Sequence, residues 1–468
     1  MRFSWLLSFL LFAVIISEAL AESPSSSAIS VSPVSSTPSF TFPIREETLR
    51  NGLRVVLLPD ANSPTVGVAV TYDVGSRNER RGLSGFAHLF EHMMFQGSQH
   101  VPRGGHFQLI TQRGGILNGT TNEERTNYFQ VMPRDELPLM LWLEADRMRA
   151  LNASLENFEN QRAVVKEEYR MRVENSPYIK GIMRGIELAF GDCWPYAHPT
   201  IGSMQDLDNA PFEEVQKFHR TYYNPSHAVL SISGGFDEKD VLELIHRYFD
   251  PISAHPSPPE SPSLPLLSQK EPRGEIIADL HATLPGIWWG WSIPTGRTPD
   301  YAALNMAARL LADGESSRLY RRLVREKGIA VEVDAWVEPH RGASLFALWS
   351  KISEKGTLEE VEEIFQEEMI SLARFLPADV EMNKLRLRAR SSILLPLQLD
   401  LKRAVRVGDL KTLWNDPNPM KELEQLEAVT PSDIQKAVVN YLTLRRRTRV
   451  EIQPGPKPSE DSESLQTI

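Results

Sequence analysis

A breaker-rich stretch from His255 to Pro265, HPSPPESPSLP, divides the sequence almost in half, and no regular element can run through it. Proline fixes φ and lacks the amide hydrogen that a helix interior or central strand needs, so the segment reads as an extended linker. The sequences on its two sides follow one plan. Strand patterns run from Leu53 to Leu58 and Thr65 to Val74, and again from Glu275 to Leu280 and Gly286 to Ile293. Each half continues with a helix, a long helical middle and a closing helix before a last strand. Pro211–Lys217 ahead of Tyr222 matches Pro431–Lys436 ahead of Tyr441. Strands with segregated helices predict an α+β fold of two homologous domains, each a largely antiparallel sheet with helices packed on one face. The expected organisation is a domain over 46–254, a linker over 255–270 and a second domain over 271–455. Cys193 is the only cysteine, so no intrachain disulfide can form and the fold rests on its cores.

Chemistry concentrates in His88-Leu89-Phe90-Glu91-His92, within GLSGFAHLFEHMMFQGS. Helical positions four apart share a face, so His88 and His92 can present two imidazoles to one metal ion. Glu91 reaches the same place from the side, where a carboxylate can take a proton from water. His-x-x-Glu-His is the inverted form of a zinc-peptidase signature. Two histidines on an amphipathic helix can also be purely structural. Here the flanks Gly85-Phe86-Ala87 and Met93-Met94-Phe95 bury one face, and a polar cluster on a buried helix is costly unless it binds something. A catalytic zinc site takes a third protein ligand, and an acidic residue on the charged helical segment Phe158–Arg170 is the candidate. The counterpart helix of the second half, Pro299–Leu311, has no His and no Glu, which leaves that half without metal chemistry.

These features resemble the pitrilysin, insulysin and mitochondrial processing peptidase family, the inverted zincins, and the resemblance covers nearly all of residues 46 to 453. It extends to Thr71–Arg77, Thr126–Phe129, Leu143–Met148 and Tyr222–Pro225 leading into Ala228–Ile232. It implies a third metal ligand some seventy-odd residues beyond the second histidine. Glu168 lies beyond 75 intervening residues and Glu167 beyond 74; matching Val164-Val165 to the family pattern favours Glu168, with Glu167 the alternative. The resemblance also implies one zinc ion per chain and a peptide cleft enclosed by the two domains. Gly114–Thr121 then becomes an edge strand that pairs with extended substrate, with Asn118, Gly119 and Thr120 as substrate-binding residues. Relatives often carry a glutamate seven residues before the third ligand; Gln161 stands there and cannot supply its charge.

A second departure concerns Ser316–Ala330. Self-sufficient relatives bind the substrate backbone with an Arg and a Tyr seven residues later in this region. Here Val331 occupies the Tyr position, and the Arg position falls on Val324 or is displaced to Arg325. Arg318, Arg321, Arg322 and Arg325 are expected to form a solvated face. The resemblance then implies the catalytic chain of a heterodimer, with a homologous inactive chain supplying the missing contacts. The expected function is zinc-dependent cleavage of short or unfolded peptides. The alternatives are a non-catalytic structural subunit and a binder that holds peptides without cutting them.

Residues 1–21 combine Arg2, an apolar run from Trp5 to Ile16 and Ala19-Leu20-Ala21, the pattern of a secretory leader. This predicts an exported, periplasmic or secreted protein, with a retained N-terminal anchor as the alternative. A Ser/Pro-rich disordered segment is expected over 22–45 and a polar tail over 456–468. The formal charge of −10 argues against nucleic-acid and anionic-membrane partners. No membrane span is expected once the leader is removed.

Overall fold

The computed structural model describes residues 42–253, 269 and 271–456. The leader, residues 22–41 of the Ser/Pro-rich segment, nearly all of the 255–270 linker and the tail from 457 onward lie outside the described residues. Residues 42–45 belong to the fold rather than to a disordered segment. Phe42 and Ile44 pack on Val56 and Leu58, and the first strand begins at Arg45.

The first half contributes β1 (Arg45–Thr48), β2 (Arg54–Pro59), β3 (Thr65–Tyr72), β4 (Ile116–Thr121), β5 (Thr126–Pro133) and β6 (Ala228–Gly234). The second contributes β7 (Arg273–Asp279), β8 (Gly286–Ile293), β9 (Ala330–Glu338), β10 (Ser344–Ile352) and β11 (Thr448–Pro454). Spatial order is β1-β2-β6-β3-β5-β4 in one sheet and β7-β11-β8-β10-β9 in the other. Apart from the extra β1, the two orders are the same. Each sheet is antiparallel except where its last strand in sequence, β6 or β11, pairs in parallel with β2 or β7. β4 and β9 occupy corresponding edges.

The composition of β8, GIWWGWSI, shows how the sheets are covered. All eight residues are buried, and a strand buried on both faces reads as a near-continuous apolar run. Ile287, Trp289, Trp291 and Ile293 enter a core with the helices Pro299–Ala312, Leu358–Arg374 and Pro431–Tyr441. Trp288 points the other way, against Ala189 and Phe190 at the end of the helix Ile179–Phe190, which comes from the first half. The reciprocal contact closes the first sheet. The helix Asp400–Trp414 of the second half lies on β3 and β6 and sets Val407 among Val56, Leu58 and Val229. Helices of the same half thus cover one face of each sheet, as the sequence predicts. The opposite face takes a helix from the other half.

Small residues set the depth of this exchange. A Cβ on Gly185 would come 2.4 Å from the Trp288 ring, and one on Gly67 would meet the backbone of Leu401 at 2.7 Å. Polar contacts fix the register. The Asp400 carboxylate accepts from Ser63 and Thr65, Arg403 Nε donates to Ser233 Oγ (2.8 Å), and Asn127 Nδ2 donates to Asp409 Oδ1 (3.1 Å). Glu124, buried, joins Arg77 of its own half (3.0 Å) to Arg341 of the other (2.8 Å) and accepts from Tyr196 Oη (2.7 Å). Burial alone would raise this carboxyl; the two guanidinium groups outweigh it and pull it down to about 2.

Alanine at position 185 would improve intrinsic helix propensity by about 1 kcal/mol. It would also drive a methyl group into Trp288, and overpacking of this kind costs about 1–3 kcal/mol. Gly185→Ala is therefore expected to lower the denaturant midpoint; an unchanged or raised midpoint would show that the exchanged helix is not tightly seated.

Candidate metal centre

The helix Phe86–Met93 carries both histidines, with Phe86, Leu89, Phe90 and Met93 buried in the first core. Its start is fixed by chemistry remote in sequence. Gly85 has φ +92°, open to glycine without strain, and a Cβ there would meet the Ile201 carbonyl at 2.8 Å. The buried Glu79 carboxylate accepts from Gly85 N (2.8 Å) and Ala87 N (2.7 Å), two of the amides a helix start leaves unpaired. His198 Nε2 reaches the same carboxylate at 3.1 Å. Burial raises the Glu79 carboxyl above its ordinary value, against the hydrogen bonds from His198, Ala87 N and Gly85 N, which pull it down. For His198, burial works the other way and is outweighed by Glu79, which holds the imidazole above its ordinary value.

On another face of this helix, the buried His88 and the half-buried His92 stand with ring centroids 4.8 Å apart. Glu168, near the end of the helix Leu155–Tyr169, brings Oε2 to 3.1 Å from His92 Nε2 and 3.7 Å from His88 Nε2. Donors on a tetrahedral zinc ion are about 3.4 Å apart, so these separations bracket what such an ion requires. Among the described residues, no fourth His, Cys, Asp or Glu joins the group. Glu167 faces away and pairs with Arg170 at 2.8 Å. Arg172, four residues beyond Glu168, holds its other oxygen at 2.8 Å. Burial works against ionisation of Glu168, yet the His92 contact, His88 and Arg172 bring its carboxyl below the usual range. Burial and the neighbouring His92 lower His88 to about 4, so the imidazole is neutral and free to donate a lone pair. His88 Nδ1 is buried without a hydrogen-bond partner.

Glu91 lies beside this group. Its Oε2 accepts from Thr121 Oγ1 at 2.6 Å, and burial raises its carboxyl against that hydrogen bond. Thr121 ends β4, the edge strand. Gly119, two residues earlier on the same face, is where a Cβ would come 2.9 Å from Glu91 Cγ. Asn118 and Thr120 are exposed on the opposite face; Asn118 Oδ1 accepts from Gly119 N (2.9 Å), and Thr120 Oγ1 donates to Asn127 Oδ1 (2.7 Å). Gln161 is buried, and its Nε2 donates to Asn160 Oδ1 at 3.0 Å rather than to Glu168.

The sequence pattern alone pointed neither to Thr121 nor to the Glu79–His198 pair. Strand alternation puts Thr121 on the face of Gly119 and could have found it, and the i,i+4 spacing of Glu168 and Arg172 was equally readable. The pairing of Glu79 with His198 has no local signal. One expectation is corrected. Arg318 and Arg322 are not a solvated face: Arg318 makes two 2.8 Å bonds to Glu381, and Arg322 pairs with Glu367 and Glu368. The negative partners come from helices distant in sequence. Val324 packs partly on the second core, and Val331 is exposed on β9.

Two matching helix-backed sheets thus carry one cluster of two histidines and a glutamate, on two helices of the first half. The chain belongs to the insulinase family, peptidase family M16. The insulinase model matches residues 54–180, and the model described as the M16 inactive domain matches 209–387. The zinc protease PqqE of Helicobacter pylori is 29% identical over 418 residues, covering 87% of this chain and 92% of that protein. The crystal structure of a protease from Helicobacter pylori superimposes with a TM-score of 0.84 at 26% identity, over 89% of this chain and all of that one. The periplasmic protease PqqL from Escherichia coli shares the fold, with a TM-score of 0.72 at 17% identity, over 89% of this chain and 49% of that one.

Removing the Glu79 carboxylate would leave two buried amides and His198 without their partner. Glu79→Ala is expected to cost about 3–5 kcal/mol, measured by chemical unfolding. A loss under about 1 kcal/mol would mean the helix start is held by other contacts.

Proposed function

We propose that this chain is a zinc-dependent endopeptidase acting on short or unfolded peptides, with His88, His92 and Glu168 as metal ligands and Glu91 as general base. The observation that carries the reading is the convergence of three donors from two helices, with a fourth side chain, Glu91, held beside them by Thr121. Two neutral imidazoles and one carboxylate form the donor set of catalytic zinc sites that keep a position open. When bound, zinc would polarise the scissile carbonyl and make water a better nucleophile at neutral pH. Glu91 would take the proton from that water and deliver it to the leaving amine. Thr121 orients Glu91, and Arg172 keeps Glu168 ionised and aimed at the histidines.

Substrate binding follows from the edge position of β4. Its outer backbone groups can pair with an extended peptide whatever the side chains, leaving Asn118, Gly119 and Thr120 along the bound strand. The likeness to the Helicobacter zinc protease supports protease activity. Val324 and Val331, at the positions where self-sufficient relatives hold Arg and Tyr, support a catalytic chain that works with a homologous inactive partner. The match of this chain to about half of PqqL fits a two-chain assembly. The leader pattern in residues 1–21 and the likeness in fold to PqqL, a periplasmic protease, support export. A peptide binder or scaffold would have no use for a Glu91 positioned by Thr121.

Cleavage of a mixed unstructured peptide pool by the zinc-loaded chain, compared with Glu91→Gln, tests the assignment. The variant should keep its zinc and its fold and lose about 10²–10⁴-fold in rate. Equal cleavage by the variant would remove Glu91 from the mechanism. The paired assembly predicts that adding the homologous chain raises the rate; a full rate from the isolated chain would refute it.

A further inference from the structure

A second group of metal-type donors lies where the two halves meet, and it shares no residue with the first. Glu123, in the β4–β5 turn of the first half, approaches Glu338 and His340 at the end of β9 in the second half. The ligand atoms of all three lie within 4.8 Å of one another. His340 Nε2 is 4.0 Å from Glu123 Oε2. A contraction of roughly 0.6 Å would bring that pair to the roughly 3.4 Å separation of two donors on a tetrahedral ion.

The imidazole is the decisive group. His340 is only 2% exposed, and its Nε2 has no hydrogen-bond partner. Nδ1 is 2.9 Å from the Ala343 carbonyl, which places the proton on Nδ1 and leaves a bare lone pair on Nε2, directed at the carboxylates. A backbone carbonyl on the far nitrogen is how metal-ligating histidines are commonly oriented. The ring is also clamped, stacked on Tyr196 with centroids 4.2 Å apart and planes 7° from parallel. Glu123 Oε1 accepts from Thr200 Oγ1 at 3.2 Å, which leaves Oε2 toward the histidine. Burial and, after it, the nearby Glu123 push the Glu338 carboxyl up, while His340 pulls it down.

We propose that Glu123, Glu338 and His340 form a second binding site for a divalent cation of the zinc class, which ties the two halves together. Two carboxylates and one neutral imidazole carry a net charge of −2, which one such ion would neutralise. The ion would replace both the unused lone pair and the repulsion between the acids. It would fasten the β4–β5 turn to the second half two residues beyond Thr121, so the metal would hold the strand that carries the Glu91 partner. The role is structural, and the site stands whether or not the first cluster is catalytic.

The rival arrangement is a carboxyl pair sharing one proton, and metal counting separates the two. Full-length protein stripped with a chelator and titrated with Zn²⁺ should take up two equivalents. His88→Ala/His92→Ala should take up one, and adding Glu338→Gln to that variant should abolish it. Co²⁺ in the double variant should give visible absorption bands that Glu338→Gln removes. If the double variant does not fold, Glu338→Gln alone serves, and its uptake should fall from two equivalents to one. Zinc should raise the thermal midpoint of the double variant but not of the one carrying Glu338→Gln. The proposal is overturned if the double variant binds no metal, or if Glu338→Gln alone keeps the wild-type stoichiometry.

Discussion

The reciprocal exchange of one helix between the halves is the contact on which the rest of the structure depends. β8 is buried on both faces, so its sheet needs two covers, and its own half supplies one. The helix Ile179–Phe190 supplies the other, and Asp400–Trp414 returns the contact on β3 and β6. Neither sheet can complete its burial without the opposite half. That requirement brings the β4–β5 turn against the end of β9, where the buried Glu124 meets the half-buried Arg341. The free edge of β4, the Glu123 turn and the helix bearing the histidines inherit their positions from it.

The first cluster shows how burial and charge are balanced at one place. Burial disfavours a proton on His88, which keeps that nitrogen available to a metal. The same burial works against an ionised Glu168; the His92 contact and His88 offset it, joined from the solvent side by Arg172, 74% exposed. The histidine-bearing helix has only eight residues, too short to be stable alone. Its rigidity comes from the apolar side chains beneath it and from the carboxylate at its start.

Much of this was legible in the sequence because it is local or periodic. The duplicated order of strands followed from apolar runs, and the matching sheets reproduce it apart from β1. The facing of His88 and His92 followed from a spacing of four. Spacing could not separate Glu168 from Glu167; helix rotation turns one toward the histidines and the other to Arg170. The exchanged helices were not foreseen, although GIWWGWSI, with no polar alternation until Ser292, is the mark of a strand covered twice. Arg318 and Arg322 were assigned to solvent because their partners Glu367, Glu368 and Glu381 belong to other helices. Charge on a helix says little about exposure until its neighbours are known.

The exchange also imposes an order of events on synthesis. The ribosome completes β6 long before it reaches Asp400, an interval on the order of ten seconds. Until then the face of the first sheet that receives Val407 lacks its covering helix, with only Phe42 and Ile44 packed at Val56 and Leu58. That face is mixed: Val56, Leu58 and Val229 share it with Thr71, Ser231 and Ser233. Their hydroxyls can be hydrated while the nascent chain waits. Once the late helix arrives, Ser231 Oγ donates to the Ala404 carbonyl at 2.8 Å and Ser233 Oγ accepts from Arg403. The corresponding face of the second sheet, built around Trp288 and Ile452, has no such interval, because its covering helix is made before the sheet itself.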